Sequence, residues 1–210
     1  INKIDPLNFG ETIWVIKPED LSNIGAFFSS GIFSSSRTVA ISGDSLKSPK
    51  YYSTCIGASI SSLINSDEIN DIKNYRFING DPLSGSKVEY SEFLGFYNNS
   101  LSVIEEGNNY RMLGWLPFMY NSIPSFSKTS LSWLLGGAKK VNTNLNGEER
   151  AIVVTGEMEK YFPMDIFPMQ LIKACMRGDI EKMESLGIYE VVPEDFGLVD
   201  FSCTSKIEAQ

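Results

Sequence analysis

The sequence predicts an α+β protein whose first part is built from short strands and whose C-terminal part is helical. Runs of apolar and β-branched residues, separated by turn-rich segments, predict strands as far as Thr155. After Pro163, apolar residues recur at the three- and four-residue spacing of helices. A hydrophobic fraction of 42% with 21% charged residues is ordinary for a globular chain.

Length and charge narrow the class of protein. A chain of 210 residues can form one large or two small domains. The net charge of -8 argues against a nucleic-acid binder, whose binding face would be basic. No apolar run approaches the roughly 18 residues that span a bilayer, and no signal peptide is visible. Because Ile1 is not an initiator methionine, we expect the sequence to be a piece of a longer protein.

Residues 1–35 are predicted to be the end of an α/β domain. Thr12–Ile16 is apolar and β-branched, which predicts a buried strand. A helix then begins near Pro18, with acids in the first turn where the helix dipole favours them, and Gly31 ends it. The serines at 34–36 have the composition of a linker. The predicted apolar face of the helix consists of Leu21, Ile24, Phe27 and Phe28.

Residues 36–107 are predicted to form a small sheet with one short helix. Arg37–Ser42 and Tyr51–Ile56 are two strands of a hairpin, and Ser59 is a plausible N-cap for a helix through Ile60, Leu63 and Ile64. Asn74–Asn79 and Ser100–Ile104 are predicted as the third and fourth strands. Strand, strand, helix, strand, strand is the order of a ubiquitin-like β-grasp.

Residues 108–210 are predicted to end in helices. Ala151–Thr155 is expected to be a last strand before them. One helix begins at Pro168, with Leu171, Ile172, Cys175 and Met176 at helical spacing, and Gly178 ends it. A second begins at Asp179, with Ile180, Met183 and Leu186 inward, and ends at Gly187.

The residue inventory predicts no catalytic, cofactor-binding or metal-binding residue. The chain has no histidine, which excludes Ser-His-Asp and Cys-His catalysis and any His-ligated metal. Cys55, Cys175 and Cys203 are odd in number and far apart, so inert core thiols in a reducing compartment are favoured over disulfides or clusters.

Three polar segments that could resemble sites are better explained as surface. Gly80–Gly85 lacks the spacing of a dinucleotide-binding loop or a P-loop and is predicted to be a loop between strands. Asp67, Glu68 and Asp71 are more plausible as a solvated face than as an acid/base pair. The Glu148-Glu149-Arg150 segment is predicted to be a surface turn.

Two aromatic and methionine-rich sets are candidate partner contacts, although for the Tyr110–Tyr120 segment, which contains the first set, packing in a core between two subdomains is favoured. The hypothesis is that at least one of the sets is exposed. The first set contains Met112, Trp115, Phe118, Met119 and Tyr120, and the second contains Phe162, Met164, Phe167 and Met169.

Segments spread over most of the chain resemble one bacterial family, the NqrA subunits of the sodium-translocating NADH:quinone oxidoreductases. No single segment is specific, but their order along the chain is. The segments are IDPLNFGETIWVIKPEDLSNIGAFF, RTVAISGDSLKSPKYYSTCIGA, INGDPLSG, EFLGFYNNSLSVIEEG, MLGWLPF, NGEERAIVVTGEMEKYFPMDIFP and GIYEVVPEDFGLVDFSC.

The resemblance implies three parts. Residues 1–35 would be the remnant of a Rossmann-like domain, residues 36–107 a soluble-ligand-binding β-grasp (SLBB) domain, and residues 108–210 a connecting segment with a C-terminal helical domain. Kinship with the flavin- and NADH-binding subunit of complex I and with the RnfC subunit is also implied. Those relatives use cysteine clusters for iron–sulfur centres, whereas FSCTSK here retains only Cys203.

The implied role is architectural or ligand-contacting within an enzyme. NADH, flavins, an iron–sulfur centre and quinone would serve the whole complex, with none of the cofactors bound by this chain. The expected partners are the other subunits of the membrane-embedded complex, with quinone as a further expected contact and nucleic acid excluded. The expected location is the cytoplasmic face of the bacterial inner membrane, as a peripheral subunit.

Two alternatives stay open. The chain could be a free-standing β-grasp module for a small ligand, which a pocket with convergent polar groups would support. It could also belong to an Rnf-type electron-transport complex, which cysteine clusters beyond Gln210 would favour.

Overall fold

The computed structural model of the chain describes residues 5–64, 69, 71–109, 132–135 and 141–209. The strands are β1 (Ser36–Ser42), β2 (Lys50–Cys55), β3 (Tyr75–Asn79), β4 (Ser86–Val88) and β5 (Ser100–Glu105). The α-helices are α1 (Pro18–Ser30), α2 (Ile60–Leu63), α3 (Ser132–Leu135), α4 (Glu157–Tyr161), α5 (Pro168–Arg177), α6 (Ile180–Ser185) and α7 (Gly197–Ser202). Short 3₁₀ turns occupy Ile72–Asn74, Ile188–Glu190 and Pro193–Phe196.

The five strands form one mixed sheet in the order β2-β1-β5-β3-β4. β1 and β2 pair antiparallel, from Ser36 opposite Cys55 to Ile41 opposite Lys50, which confirms the predicted hairpin. β1 pairs parallel with β5, and β3 pairs antiparallel with both β5 and β4. β4 was absent from the prediction because three residues are too few to establish a periodicity of two.

The buried side of the sheet carries the central core. Val39 and Ile41 alternate inward from β1, and Leu101 and Val103 from β5 are fully buried. α2 closes the core with Ile60 and Leu63; its N-cap is Ser59, as predicted, but the Ser59 side chain makes no capping hydrogen bond. Each such fully buried aliphatic side chain is worth about 1.5–3 kcal/mol of transfer free energy. The remaining members of this cluster are Leu46, Ala58, Ile64, Ile69, Phe77 and Leu94.

A second core lies in the C-terminal part and draws on α4, α5 and α7. α5 begins with Pro168 and ends where Gly178 adopts a left-handed conformation at φ 71°, as the sequence predicts. Its buried face carries Leu171, Ile172 and also Ala174, whereas Cys175 and Met176 are exposed, contrary to prediction. The helix therefore packs on a face rotated from the predicted one. The buried members of this cluster are Met158, Phe162, Met169, Leu171, Ile172, Phe196, Val199 and Cys203.

α6 confirms one predicted cap and corrects one predicted contact. The Asp179 side chain accepts a hydrogen bond from the Lys182 amide at 3.2 Å, so the helix begins there as expected. Met183 and Leu186 pack against the C-terminal core, but Ile180 is 67% exposed rather than inward.

Two predicted strands, Thr12–Ile16 and Ala151–Thr155, are not strands. In the first, Trp14 and Val15 are more than 80% exposed, and in the second Val153 and Val154 are more than 60% exposed. Strand propensity describes how a residue fits a pleated, half-buried surface. Among the described residues, no strand lies beside either segment to supply that surface, so its propensity has no effect.

α1 forms over the predicted residues, but its apolar face is not buried. Leu21, Ile24, Phe27 and Phe28 are 43–82% exposed, and α1 contains no buried residue. Gly31 ends the helix in the left-handed conformation at φ 72°. Polar contacts therefore hold this helix in place, since its apolar side chains contribute little.

Arg37 on β1 makes the main polar contact with α1, and its guanidinium group is buried. Arg37 Nη2 lies 2.7 Å from Asp20 Oδ1, Arg37 Nε lies 3.9 Å from Glu19 Oε2, and Nη1 donates to the Phe96 carbonyl. Nearby, Lys17 Nζ donates to the Tyr97 carbonyl at 2.6 Å. These bonds join the start of α1, strand β1 and the loop before β5.

We predict that replacing Asp20 destabilises the chain more than replacing Glu19. Asp20→Asn leaves the buried Arg37 without its nearest carboxylate and should lower the unfolding free energy by about 1–3 kcal/mol. The matched control Glu19→Gln removes a longer, more exposed contact and should cost less than about 1 kcal/mol. Urea unfolding of both variants is the measurement. Equal effects would contradict the assignment of Asp20 as the principal partner of Arg37.

A second prediction concerns Gly43, which follows β1 at φ 139°. A Cβ built there would lie 1.8 Å from the Val103 carbonyl oxygen, and that backbone belongs to the central strand and cannot move aside. Gly43→Ala should therefore destabilise the chain by roughly 3 kcal/mol or more. Gly25→Ala is the control: Gly25 lies within α1 with open space around it, so alanine there should stabilise by about 0.5–1 kcal/mol. Thermal unfolding that ranks both substitutions alike would refute this account.

Candidate functional site

A cleft of about 510 Å³ lies beside strands β3 and β4. The 3₁₀ turn at Ile72–Asn74 forms one side, and Lys87, Val88, Glu89 and Tyr90 form the other. Ligand pockets commonly measure about 300–1,000 Å³, so the cleft can accept a molecule of one or two rings. None of these residues was singled out from the sequence.

Aromatic side chains make the floor and wall of the cleft. Tyr75 and Phe77 project from the same face of β3, where Phe77 is buried and Tyr75 half-buried. The rings of Phe77 and Tyr90 lie 5.6 Å apart at a tilt of 48°. The Tyr90 hydroxyl donates to the Ile64 carbonyl at 2.9 Å, which fixes this ring in place without a ligand.

The charged side chains around the cleft differ in how far they are already paired with other groups of the protein. Glu106 accepts hydrogen bonds from Arg76, with Nε to Oε2 at 3.0 Å, and from the Thr143 hydroxyl at 3.0 Å. The Arg76 hydrogen bonds, the largest influence, lower the pKa of Glu106 below its ordinary value of 4.5, against a smaller opposing effect of burial. The charge of Glu106 is therefore largely matched by Arg76.

The two lysines that line the cleft, Lys73 and Lys87, are both exposed. Lys87 Nζ lies 4.0 Å from Glu89 Oε1, an exposed and therefore weak pair. The Lys73 side chain makes no ion pair with any described residue. The arrangement can hold a ring against Tyr75 and Tyr90 and an anion at the rim.

The cysteines do not form a site. Cys55 at the end of β2 and Cys175 on α5 are exposed, so the expectation that all three thiols are buried is wrong for these two. Cys203 is buried in the C-terminal core, as predicted. Among the residues that the structure describes, no group of three His, Cys, Asp or Glu side chains could hold a metal ion.

Gly80–Gly85 is a loop between β3 and β4, as predicted. Burial alone would raise the pKa of Asp81, but hydrogen bonds from the Ser84 hydroxyl and from the Leu83 and Ser84 amides lower it. A Cβ on Gly85 would lie 2.5 Å from the Asn79 carbonyl oxygen, so the turn requires glycine there. The carboxylate of Asp81 is thus used to shape the turn.

The remaining acidic candidates also have structural roles or none. Asp71 caps the 3₁₀ turn by accepting a hydrogen bond from the Lys73 amide at 3.2 Å. Asp67 and Glu68 lie outside the described residues. Glu148, Glu149 and Arg150 are exposed, as expected of a surface segment.

The second aromatic and methionine set is not a docking surface. Phe162 and Met169 are buried in the C-terminal core, and Met164 packs against it. Only Phe167 is substantially exposed, at 60%. A small helical unit needs these large apolar side chains for its own core. Their residue types are common both in cores and at interfaces, so residue type alone could not show that the set is buried. The first set, between residues 112 and 120, lies outside the described residues.

Comparison with known proteins first defines the class. Residues 38–90, which contain β2 to β4, nearly all of β1 and most of the cleft, match the sequence model described as the NQRA C-terminal domain, of SLBB type. The match thus assigns an SLBB-type domain to residues that hold all or part of four of the five strands, β1 to β4. No described helix is long and apolar enough to cross a membrane.

The chain is also similar to individual proteins of known name. Over 99% of its length, the chain is similar to the NqrA subunits of Na(+)-translocating NADH-quinone reductase from Neisseria meningitidis (35% identical), Pasteurella multocida (36%) and Rhodopirellula baltica (34%). It spans 46% of each of these relatives. These matches confirm the resemblance to the NqrA family that the sequence segments indicate.

The cleft could not be predicted from the sequence. Its residues come from two sequence segments that become neighbours only when β4 pairs with β3 through Phe77 opposite Val88. The one available signal was the aromatic alternation of Tyr75 and Phe77, which indicates a buried strand face as readily as a ligand wall.

The Glu106–Arg76 pair predicts a specific acid dependence. Because the folded pKa of Glu106 is lowered, its stabilising contribution is complete above about pH 4.5 and is lost as the pH falls through the lower folded pKa. The difference in unfolding free energy between the wild type and Glu106→Gln should therefore be largest near neutral pH and shrink in acid. Urea unfolding at several pH values measures it. The control is Glu89→Gln, a substitution of an exposed glutamate at the rim of the cleft. If the difference in unfolding free energy between the wild type and Glu106→Gln does not change with pH, the assigned Glu106–Arg76 pair is contradicted.

Proposed function

We propose that the chain is part of an NqrA subunit of a Na(+)-translocating NADH-quinone reductase, an oxidoreductase complex that couples electron transfer from NADH to quinone with sodium export. The observation that carries the proposal is the similarity over 99% of the chain to proteins of that name. The ordered sheet matched by the NQRA C-terminal domain supports it.

The central part is proposed to be a β-grasp of the ubiquitin type, within residues 36–107. Three features support this: a β1–β2 hairpin, parallel pairing of β5 with β1, and antiparallel pairing of β3 with β5. Residues 108–210 would then form the connecting segment and the C-terminal helical domain, for which the separate core around Met169 and Val199 is the support.

Residues 1–35 are proposed to be the last part of a Rossmann-like domain. The support is the large apolar surface that this segment exposes. Its exposed residues are Ile13, Trp14, Val15, Ile16, Leu21, Ile24, Phe27, Phe28, Ile32 and Phe33. Such a surface is unusual on an isolated domain and fits a segment that another part of a longer polypeptide covers. The relatives are more than twice as long as the chain, which agrees with this proposal.

Within the complex, the chain is proposed to be architectural or ligand-contacting rather than catalytic. Its three widely separated cysteines are too few for an iron–sulfur centre of about four thiolates. The flavins, the iron–sulfur centre and the NADH site are assigned to other subunits on the basis of the family resemblance. Quinone is proposed to contact the NqrA protein, with no residue of this chain assigned to it.

The proposed location is the cytoplasmic face of the bacterial inner membrane. A net charge of -8 is repelled by an anionic leaflet, so attachment would depend on contacts with membrane-embedded subunits. Such contacts use aromatic anchors. Exposed aromatic side chains in the described residues include Phe93, Phe96 and Tyr97 in the loop that Arg37 and Lys17 hold.

The second candidate is a free-standing small-ligand module, and the cleft beside β3 and β4 is the observation that favours it. An Rnf-type subunit has less support, since the relatives described above carry the name of the sodium-translocating reductase.

We predict that the full-length protein assembles with membrane redox subunits. Deleting its gene in the bacterium that encodes it should abolish sodium-stimulated NADH-dependent quinone reduction by isolated membranes, and the tagged full-length protein should restore it and co-purify with those subunits. Re-introduction of the tag alone is the control. A tagged protein that purifies by itself, from a strain whose membranes keep this activity after deletion, would refute the subunit role and leave the ligand module.

A further inference from the structure

We propose that the cleft beside β3 and β4 binds a planar aromatic monoanion, an aryl carboxylate of one or two fused rings. This proposal rests on the ligand-contacting role proposed above and adds the chemical class of the ligand. It stands on three independent features of the cleft: its aromatic wall, its size and the balance of charge at its rim.

The aromatic wall is prepared before any ligand enters. Tyr90 is held by its hydrogen bond to the Ile64 carbonyl and by its contact with the Phe77 ring, so its ring need not be ordered on binding. Tyr75 is half-buried on the same strand face, leaving part of its ring open to the cleft. Rigid, partly exposed aromatic rings favour flat ligands, because offset or edge-to-face contacts form at little entropic cost.

The volume of about 510 Å³ limits the ligand to a small molecule. Both lysines that line the cleft, Lys73 and Lys87, are exposed, so a polar group of the ligand bound to either of them would remain near water. An extended polymer or peptide would need a groove that continues along the sheet edge. A compact ring system with one polar group fits the described space.

The rim charge selects the sign of that polar group. Among the four charged side chains that line the cleft, Glu106 is matched by Arg76 and Glu89 lies beside Lys87. Lys73 has no ion-pair partner among the described residues, so the rim retains about one positive charge although the chain as a whole carries -8. One uncommitted ammonium group favours a single carboxylate over a cation or a multiply charged phosphate.

Arg76 does not compete for this role. It does not line the cleft, although its neighbours in β3, Tyr75 and Phe77, do. Its guanidinium donates to both oxygens of Glu106, which in turn accepts from Thr143. The pair supports the strand that carries the aromatic wall, and the ligand anion is left to the lysines.

The test is a titration of the ¹⁵N-labelled 210-residue chain with 2-naphthoate and, separately, with neutral 2-naphthamide. We expect saturable amide shifts confined to residues 72–77 and 87–90, with naphthoate bound about fivefold more tightly than naphthamide, as one solvent-exposed charge contact allows. Lys73→Gln should reduce the affinity for naphthoate to that for naphthamide and leave naphthamide binding unchanged. Lys87→Gln should have a smaller effect, because Lys87 is shared with Glu89.

Lys173→Gln is the matched control, since Lys173 is an exposed lysine on α5, outside the cleft. It should leave both affinities at their wild-type values. Equal binding of the two probes, an unchanged naphthoate affinity in Lys73→Gln, or shifts centred on residues 13–33 or 93–97 would overturn the proposal. So would the lack of saturation at concentrations on the order of millimolar.

The result can be separated from that of the gene-deletion experiment. If naphthoate does not bind but the full-length protein assembles and supports quinone reduction, the ligand assignment alone fails. If naphthoate binds as expected but the protein purifies alone and quinone reduction survives gene deletion, the subunit role fails and the cleft stands as the site of a separate binding module.

Discussion

The pairing of β5 with β1 on one side and β3 on the other is the constraint on which the rest of the structure depends. β5 is buried on both faces, with Leu101 and Val103 in the central core and Ser102 and Ile104 on the opposite side. Its parallel partner β1 must approach so closely that Gly43 has no space for a side chain. The backbone beyond β5 then meets the C-terminal half, where the Thr143 amide donates to the Glu105 carbonyl at 3.2 Å.

Two arginines extend the influence of this sheet to its surroundings. Arg37 on β1 binds Asp20 and the loop before β5, and Arg76 on β3 binds Glu106 just beyond β5. In each case a guanidinium offers several donors in a fixed plane, so one side chain can hold groups from different segments. The first fixes α1, whose apolar face is exposed, and the second fixes the end of β5 beside the cleft. Apolar side chains form the two cores. The two arginines position segments that the cores do not hold, namely α1 and the end of β5.

The molecule thus presents two surfaces with different chemistry. The strip between residues 13 and 33 is broad and apolar, which suits permanent contact with another part of a protein. The cleft beside β3 is small, aromatic and lined by exposed lysines, which suits a reversible small ligand. An architectural role and a ligand-contacting role are therefore compatible, because they use separate residues.

The sequence by itself determined most of the local structure. Arg37–Ser42, Tyr51–Ile56 and Asn74–Asn79 were recognisable as strands, and the ends of α1 and α5 followed from Pro18, Gly31, Pro168 and Gly178, because these features depend on a few neighbouring residues. The resemblance to the NqrA family likewise came from ordered local segments.

Only the tertiary structure decided which surfaces are covered. Thr12–Ile16 and Ala151–Thr155 have strand propensity but pair with no strand in the part of the chain that the structure describes. Phe162 and Met169 are core rather than contact residues, since burial depends on what the rest of the chain brings near. The cleft required β4 to pair with β3, with Phe77 opposite Val88 and Ile78 opposite Lys87, which brought residues 87–90 near residues 72–77. A site formed between segments distant in sequence has no local pattern to reveal it, because its geometry comes from the pairing of strands.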